Sequence, residues 1–281
     1  MRTSPDADLA LVLDAIVAAG AEVMRTFRTE MAVTEKAPDQ PLTAADLAAD
    51  ALLRARLCGA RPEYGWLSEE TADRPDRLAR DRVWIVDPID GTRSFIAGRP
   101  EFTICIGLAE RGRVLLGAVL NPATSELYWA QRGAGAWLQA AVPEAVRAQR
   151  LAVRAFAGRP VLLASRSELA AGEFGAFEAE WLLQPTGSTA YKLVRVAQGA
   201  ADAFLSRGPK SEWDVCAGAL IVAEAGGVVT DLLGEEPGYN RADPYVHGIL
   251  AAAPGTHGRL LEACRALPPT ARLRTDPGRG T

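Results

Sequence analysis

Trp84-Ile85-Val86-Asp87-Pro88-Ile89-Asp90-Gly91-Thr92 joins an apolar run to two acids, a proline and a glycine. The run from Val83 to Val86 predicts a short buried strand that stops at Asp87-Pro88. Pro88 and Gly91 force a sharp turn directly after it, and Gly91-Thr92 opens a new turn of helix. The two carboxylates then sit one turn apart, close enough to bind one cation or to bridge two. The carbonyl between them is a further hard ligand. Gly91 permits close approach of a ligand, and the N–H groups of Gly91 and Thr92 would face a phosphate at a helix start. Pro-x-Asp-Gly is also common turn chemistry, so this stretch alone is equally compatible with a surface turn.

Spacing excludes two rivals. Phosphatases of the haloacid-dehalogenase type carry Asp-x-Asp-Gly-Thr after a strand. Here two residues separate the acids, which breaks the same-face alternation of an extended segment. No later Gly-Asp-x-x-x-Asp completes such a site. The Asp-x-Asp-x-Asp-Gly spacing of an EF-hand is absent as well.

Two further acidic stretches carry oxygen ligands: Ser68-Glu69-Glu70-Thr71 and Glu212-Trp213-Asp214-Val215-Cys216-Ala217-Gly218-Ala219. Asp214 starts an apolar helix, where the helix dipole favours an acid, so a plain cap is its alternative reading. The alternative for Glu69-Glu70 is a solvated acidic loop. Adjacent like charges favour cation binding only if something positive lies between them.

The bulk numbers bound the remaining classes. A chain of 281 residues forms one large domain or two fused subdomains. It buries about three quarters of the surface its unfolded form would expose. The net charge of -4 gives no footprint for a nucleic-acid polymer. A small phosphorylated substrate stays compatible, because bound divalent cations reverse the local sign. Lys36, Lys192 and Lys210 are the only lysines; the other basic residues are arginines. Cys58, Cys105, Cys216 and Cys264 show no CxxC spacing and lie in apolar stretches, which reads as buried reduced thiols in a cytoplasmic protein. With only His247 and His257, a histidine-rich zinc site is ruled out and a Ser-His-Asp triad has little support. The N-terminal apolar residues are interrupted by Asp6, Asp8 and Asp14, unlike a signal peptide, and no uncharged run is long enough for a membrane span.

Helical spacing of Leu9, Leu13, Ile16, Val23, Met24 and Phe27 predicts a first helix opened by Ser4-Pro5-Asp6. Glu35 to Leu42 reads as a loop. Thr43 to Cys58 reads as a second helix with Leu47, Leu52, Leu53 and Leu57 apolar, ended by Gly59 to Pro62. Phe102–Glu110, Arg113–Asn121 and Glu126–Arg132 form a strand meander. Val142 to Arg150 is a candidate junction. Beyond it come a strand at Val161–Ala164, a helix at Ser188–Gln198 and a strand at Ala201–Leu205. A helix at Trp213–Ala225 and a strand at Val228–Asp231 follow. The Pro-, Gly- and Arg-rich tail after Pro268 has the composition of a disordered segment. No internal repeat is present. The mixture indicates an α+β architecture over a regular βαβ array.

Ser68-Glu69-Glu70-Thr71, the Asp87 to Thr92 turn, Gly187-Ser188-Thr189-Ala190 and the Trp213-Asp214 helix occur in this order. Jointly they resemble the lithium-sensitive, magnesium-dependent sugar phosphatase superfamily. This group comprises the inositol monophosphatases and the 3'(2'),5'-bisphosphate nucleotidases of CysQ type. The resemblance spans Leu9 to Pro254. It implies a layered α-β-α-β-α fold in two subdomains: residues 1–145 with most metal ligands, residues 146–267, and a tail at 268–281. It implies two or three magnesium ions. Glu69 resembles a metal ligand, Asp87 the carboxylate bridging two metals, and the Ile89 carbonyl a further ligand. Asp90 and Asp214 match the remaining ligands of the second metal. Gly91 and Thr92 match the phosphate-binding backbone, and Gly187 and Ser188 belong to the substrate site. Thr43-Ala44-Ala45-Asp46 is similar to the family's Thr-Ala-x-Asp. By resemblance, Asp46 hydrogen-bonds Thr92, and together with Glu69 they position the attacking water. Lys36 matches a basic position in the preceding loop, its alternative being a solvated lysine.

The implied reaction is hydrolysis of a phosphomonoester without a covalent intermediate. Inositol monophosphatases carry a Glu shortly before the Trp-Asp, two residues ahead of a Gly. Aligning on Gly208 puts Ser206 there, and Gly208-Pro209 followed by Glu212-Trp213-Asp214 resembles the bisphosphate nucleotidase version. Lys192, Arg207 and Lys210 are candidates to meet a second, non-reacting phosphate, with solvated surface charge as the alternative. The expected activity is therefore hydrolysis of the 3'-phosphate of adenosine 3',5'-bisphosphate. Inositol-1-monophosphatase activity is the alternative, a non-enzymatic metal-dependent regulator a third class, and a homodimer the assembly that family membership suggests.

Overall fold

In this computed structural model residues 5–29, 32–37, 40–141, 148–154 and 158–267 are described, with residues 5, 36, 37 and 40 by backbone alone. The first half runs α1 (Pro5–Met24), β1 (Val33–Ala37), β2 (Gln40–Thr43), α2 (Ala44–Ala60), β3 (Gly65–Ser68), β4 (Arg82–Asp90), α3 (Thr92–Ile96), β5 (Thr103–Glu110), β6 (Arg113–Asn121), β7 (Glu126–Gln131), β8 (Gly135–Ala140) and β9 (Gln149–Arg150). The second half runs β10 (Val161–Ala164), α4 (Arg166–Ala170), β11 (Leu182–Pro185), α5 (Thr189–Ala197), β12 (Ala203–Ser206), β13 (Lys210–Ser211), α6 (Glu212–Glu224), β14 (Val228–Thr230), β15 (Tyr245–Val246), β16 (Ile249–Ala252) and α7 (Pro254–Arg265).

Two sheets carry the α+β fold. Seven strands lie in sequence order, β3-β4-β5-β6-β7-β8-β9, and the other sheet runs β11-β10-β12-β16-β14. In the larger sheet only the β3–β4 pair is parallel. Residues alternate across β4. Trp84 and Val86 face α1 and α2, whereas Val83 and Ile85 face α5 and α6. Burial on both faces explains why this strand reads as a continuous apolar run. The inner helices α5 and α6 lie between the two sheets, and α7 with α4 covers the far side of the smaller sheet. The result is the expected α-β-α-β-α layering.

Several expectations need correction. Residues 35–37 and 40–42 are not loop: they belong to β1 and β2, which pair antiparallel, hidden from periodicity because Val33, Thr34 and Glu35 are all exposed. The strand at Val83 does not stop at Asp87-Pro88 but runs on to Asp90. Met24 and Leu47 leave their helices' apolar faces and are 36% and 50% exposed. In α1 the expected Ile16 and Val23 are buried, together with Val12, Ala15 and Ala19, and the helix ends at Met24, before Phe27. The strands β3, β8, β11 and β16 and the helix α7 had no sequence expectation. Ser4, the subdomain boundary at 145/146 and the tail 268–281 lie outside the described residues, as does the side chain of Lys36.

Candidate active site

The site is built on an irregularity in β4. Asp87 pairs with Cys105 and Asp90 with Thr103, so three steps on β4 oppose two on β5. That extra residue is a bulge. Cys105 and Thr103 share a face of β5, so the bulge returns both acids to one face. Plain alternation, which sets the two acids on opposite faces, is overridden here. Asp87 Oδ1 accepts from the Ile89 N–H at 3.0 Å, while Oδ2 is buried with no hydrogen-bond partner.

Two other elements bring carboxylates to this point. Glu69 follows β3, where Asp50 accepts from both the Ser68 and Thr71 hydroxyls and so pins the turn. Asp214 lies in the first turn of α6, which packs directly on the sheet at the paired glycines Gly107 and Gly117. Ligand oxygens of Glu69, Asp87 and Asp214 all lie within 4.8 Å of one another. Burial, then the carboxylates of Glu69, Asp90 and Asp214, push the Asp87 carboxyl well above its ordinary range. Burial, then the carboxylates of Asp90 and Glu69, do likewise to Asp214, against a smaller opposing pull from Lys210. Such a cluster cannot be fully ionised without a counter-charge, and the orphaned Asp87 oxygen lacks a donor. An all-oxygen donor set of this kind fits a hard divalent cation such as magnesium.

Asp90 is held from the opposite side of the cleft. Its Oδ2 accepts from Ser188 Oγ at 2.6 Å and from the Ala190 N–H at 2.6 Å. Thr92 Oγ1 lies 3.0 Å from the Ile89 carbonyl and 3.3 Å from Asp46 Oδ1, so its single proton can serve one acceptor at a time. Asp46 is fixed through Oδ2, which accepts from the Thr43 N–H at 2.8 Å and the Thr43 hydroxyl at 2.6 Å. Gly91, at φ 96°, and Gly187 both abut the Glu101 carbonyl. A Cβ would sit 2.9 Å from it at Gly91 and 2.8 Å at Gly187. No larger residue fits either place without moving backbone.

These groups open into a cleft of about 690 Å³. Glu69, Asp87, Ile89, Asp90, Gly91, Thr92, Gly187, Ser188, Lys192, Lys210 and Asp214 all line it. Asp46 is one residue removed, behind Thr92. Arg207 is turned away: its guanidinium donates to the Glu173 carbonyl, and it does not line the cleft. Ser206 is sealed in the interior, donating its hydroxyl to Glu168. Burial raises the Glu168 carboxyl, but Lys210, the Ser206 hydroxyl and Lys192 outweigh it and hold it below its ordinary value.

Sequence reasoning missed Arg93, Arg99 and Arg166, which also line the cleft, and the pinning role of Asp50. No motif announces them in an arginine-rich chain. Only the fold places residues 93, 99 and 166 on one rim.

The match to known proteins agrees with this geometry. Residues 6–268 fit the model of the inositol monophosphatase family. An inositol-1-monophosphatase of Mesorhizobium japonicum is 35% identical over 236 residues, covering 80% of this chain and 86% of that protein. The 3'(2'),5'-bisphosphate nucleotidase CysQ of Escherichia coli is 34% identical over 241 residues, 82% of this chain and 92% of that one. The structure of extragenic suppressor protein suhB from Bartonella henselae superposes with a TM-score of 0.79 at 28% identity, covering 92% of this chain and 99% of that one. With its layered fold and its carboxylate cluster, this chain belongs to the inositol monophosphatase family of metal-dependent phosphomonoesterases.

Proposed function

We propose that the substrate is a phosphomonoester bearing a second anionic group, and specifically that adenosine 3',5'-bisphosphate is hydrolysed at its 3'-phosphate. Identity does not choose among relatives, since the inositol phosphatase and the nucleotidase stand at 35% and 34%. The observation that carries the reading is Lys192. It is fully buried, lines the cleft, and has only neutral oxygens as hydrogen-bond partners, Ser165 Oγ at 3.2 Å and the Thr186 carbonyl at 3.3 Å. The carboxylates of Asp90, Glu168 and Asp214 favour its charge from beyond contact distance and the Phe204 ring lies 5.0 Å away, so a phosphate in the cleft would give this buried ammonium a direct ion-pair partner. Lys210 lines the cleft beside it, and Arg166 lines it while ion-paired with Glu101. The carboxylates lining the cleft are Glu69, Asp87, Asp90 and Asp214, which leaves none beyond the metal set to receive polyol hydroxyls.

Glu69, Asp87, the Ile89 carbonyl, Asp90 and Asp214 would hold divalent cations, which when bound would supply charge neutralisation for the phosphoryl group and a more acidic water. Gly91 and Thr92 cradle the reacting phosphate, while Gly187 and Ser188 border it. Thr92 would orient the attacking water by accepting a hydrogen bond from it while its own hydroxyl donates to Asp46, with Glu69 on the other side of the water. Attack runs in line, which needs positioning and no protein nucleophile.

Phosphate release from adenosine 3',5'-bisphosphate, inositol 1-phosphate and fructose 1,6-bisphosphate, with and without magnesium, tests this. The expected order places the nucleotide first in kcat/KM. A preference for inositol 1-phosphate transfers the chain to the second reading, that of the Mesorhizobium relative. Magnesium-independent release would reject the metal-assisted mechanism, and absence of release from all three substrates would favour the non-enzymatic class.

A further inference from the structure

The geometry points to Arg77 as a positioning residue that sets the separation of Glu69 from Asp214, the two carboxylates contributed by different parts of the fold. Arg77 lies in the 3₁₀ turn Pro75–Ala79 and is 2% exposed. Its guanidinium forks in two directions. Nε and Nη2 hold Asp73 at 2.6 and 2.8 Å, four residues beyond Glu69. Nη1 holds Asn240 Oδ1 at 2.7 Å and Nη2 the Arg241 carbonyl at 2.9 Å. The other end of that contact is the start of α6. The N–H groups of Asn240 and Arg241 donate to the two oxygens of buried Glu212, at 2.6 and 2.9 Å. Glu212 opens the helix whose first turn also carries Asp214.

A chain of hydrogen bonds therefore runs from Asp73, four residues along the backbone from Glu69, through Arg77 and Asn240–Arg241 to Glu212 at the start of α6. Asp50 pins the turn that carries Glu69. Asn240 sits at φ 58°, a conformation that asparagine tolerates better than most residues, so the loop is shaped to present two successive N–H groups to Glu212. The guanidinium makes four bonds from three separate nitrogens, including both oxygens of Asp73, and the three donors on a lysine's single nitrogen cannot reproduce that set. The inference concerns metal geometry and is independent of which phosphomonoester is hydrolysed.

The test is magnesium affinity of the full-length protein by calorimetry, alongside melting temperature. Arg77→Met is expected to weaken magnesium binding by about 10- to 100-fold, as losses of groups that orient metal ligands do. Arg77→Lys is expected not to restore it. Arg154→Met is the control, because Arg154 holds buried Asp202 through two bonds on a surface away from the cleft. It should lower the melting temperature and leave magnesium affinity unchanged. If Arg77→Met does not fold, Asp73→Asn removes one arm at a half-exposed position and should shift affinity in the same direction. Magnesium affinity that stays at the parent value in folded Arg77→Met, or in Asp73→Asn where that is the variant measured, overturns the inference, whatever the melting temperature does.

Discussion

Ser188 grips Asp90 across 98 residues of sequence: its hydroxyl donates to Asp90 Oδ2 at 2.6 Å. The same oxygen accepts the Ala190 N–H, and Ser188 Oγ also takes the Tyr191 N–H at 2.9 Å and meets Thr103 Oγ1 at 3.0 Å. One hydroxyl thus ties the start of α5 to the end of β4. Ser188 holds a φ of 57°, which a side chain adopts only when its surroundings over-determine it.

Ser188→Ala should therefore act on the metal site. Asp90 loses one of its two donors and regains torsional freedom. The magnesium concentration for half-maximal activity is expected to rise about tenfold or more, as for other lost groups that orient metal ligands. Ser188→Gly relaxes the backbone but also lacks the hydroxyl, so it should show the same rise. A magnesium titration in which Ser188→Gly behaves like the parent would locate the effect in backbone strain and remove the hydroxyl from the account.

Asp46 has two jobs that variants can separate. Its Oδ2 satisfies Thr43 at the start of α2, and its Oδ1 faces Thr92. Asp46→Ala should cost about 1 kcal/mol of stability through the lost helix start and should also lower turnover. Thr92→Val keeps the helix start, so turnover should fall with the melting temperature nearly unchanged. Normal kcat in Thr92→Val at saturating magnesium would end the role assigned to that hydroxyl.

Lys192 gives a pH dependence with a definite sign. Burial lowers its pKa from 10.5 to about 8. Below about pH 8 the folded protein carries the buried charge. Between about 8 and 10.5 the unfolded chain binds the extra proton, so this group's contribution to stability rises with pH across that window. Relative to Lys192→Met, the parent should gain stability on going from pH 7.5 to pH 10. In catalysis the trend reverses, because the neutral amine no longer holds an anion. The preference for a bisphosphorylated over a monophosphorylated substrate should decline above about pH 8 and be largely lost in Lys192→Met. A preference that is flat through this range places the second phosphate elsewhere.

The parts of the site that lie within one local stretch were legible, and the parts made by tertiary contact were not. Asp87, Ile89, Asp90, Gly91 and Thr92 announce themselves because turn chemistry and metal chemistry coincide in one short segment. The bulge that aims both acids was invisible, since alternation of a regular strand predicts the opposite. Lys192 and Arg207 look alike in sequence. Only the exit direction of β12 separates a lysine lining the cleft from an arginine bound to Glu173. Glu101 is 86 residues from the Gly187 N–H it accepts, and Arg77 is 163 from Asn240. No periodicity connects residues so far apart.

The seat of α6 offers the sharpest packing test. Gly107 and Gly117 face each other across β5 and β6, and the helix rests on both. A Cβ on Gly117 would lie 2.7 Å from the Ala217 carbonyl oxygen and 3.0 Å from its Cα, so the backbone of α6 must move. A Cβ on Gly107 would collide with Cys216 Sγ and sit 3.3 Å from Cys216 Cβ. There the conflict is with the Cys216 side chain alone, its sulfur most of all. Gly117→Ala should lose about 1–3 kcal/mol to overpacking, and because Asp214 rides on the same helix, magnesium affinity should fall with it. Gly107→Ala should lose less, and Cys216→Ala should rescue it by removing the clashing sulfur. In a double-mutant cycle the Gly107–Cys216 pair should therefore show a favourable coupling, whereas Gly117→Ala should gain nothing from Cys216→Ala. Equal rescue of both glycine variants would mean that α6 shifts as a body on either substitution, and the separate contacts read here would not control where Asp214 sits.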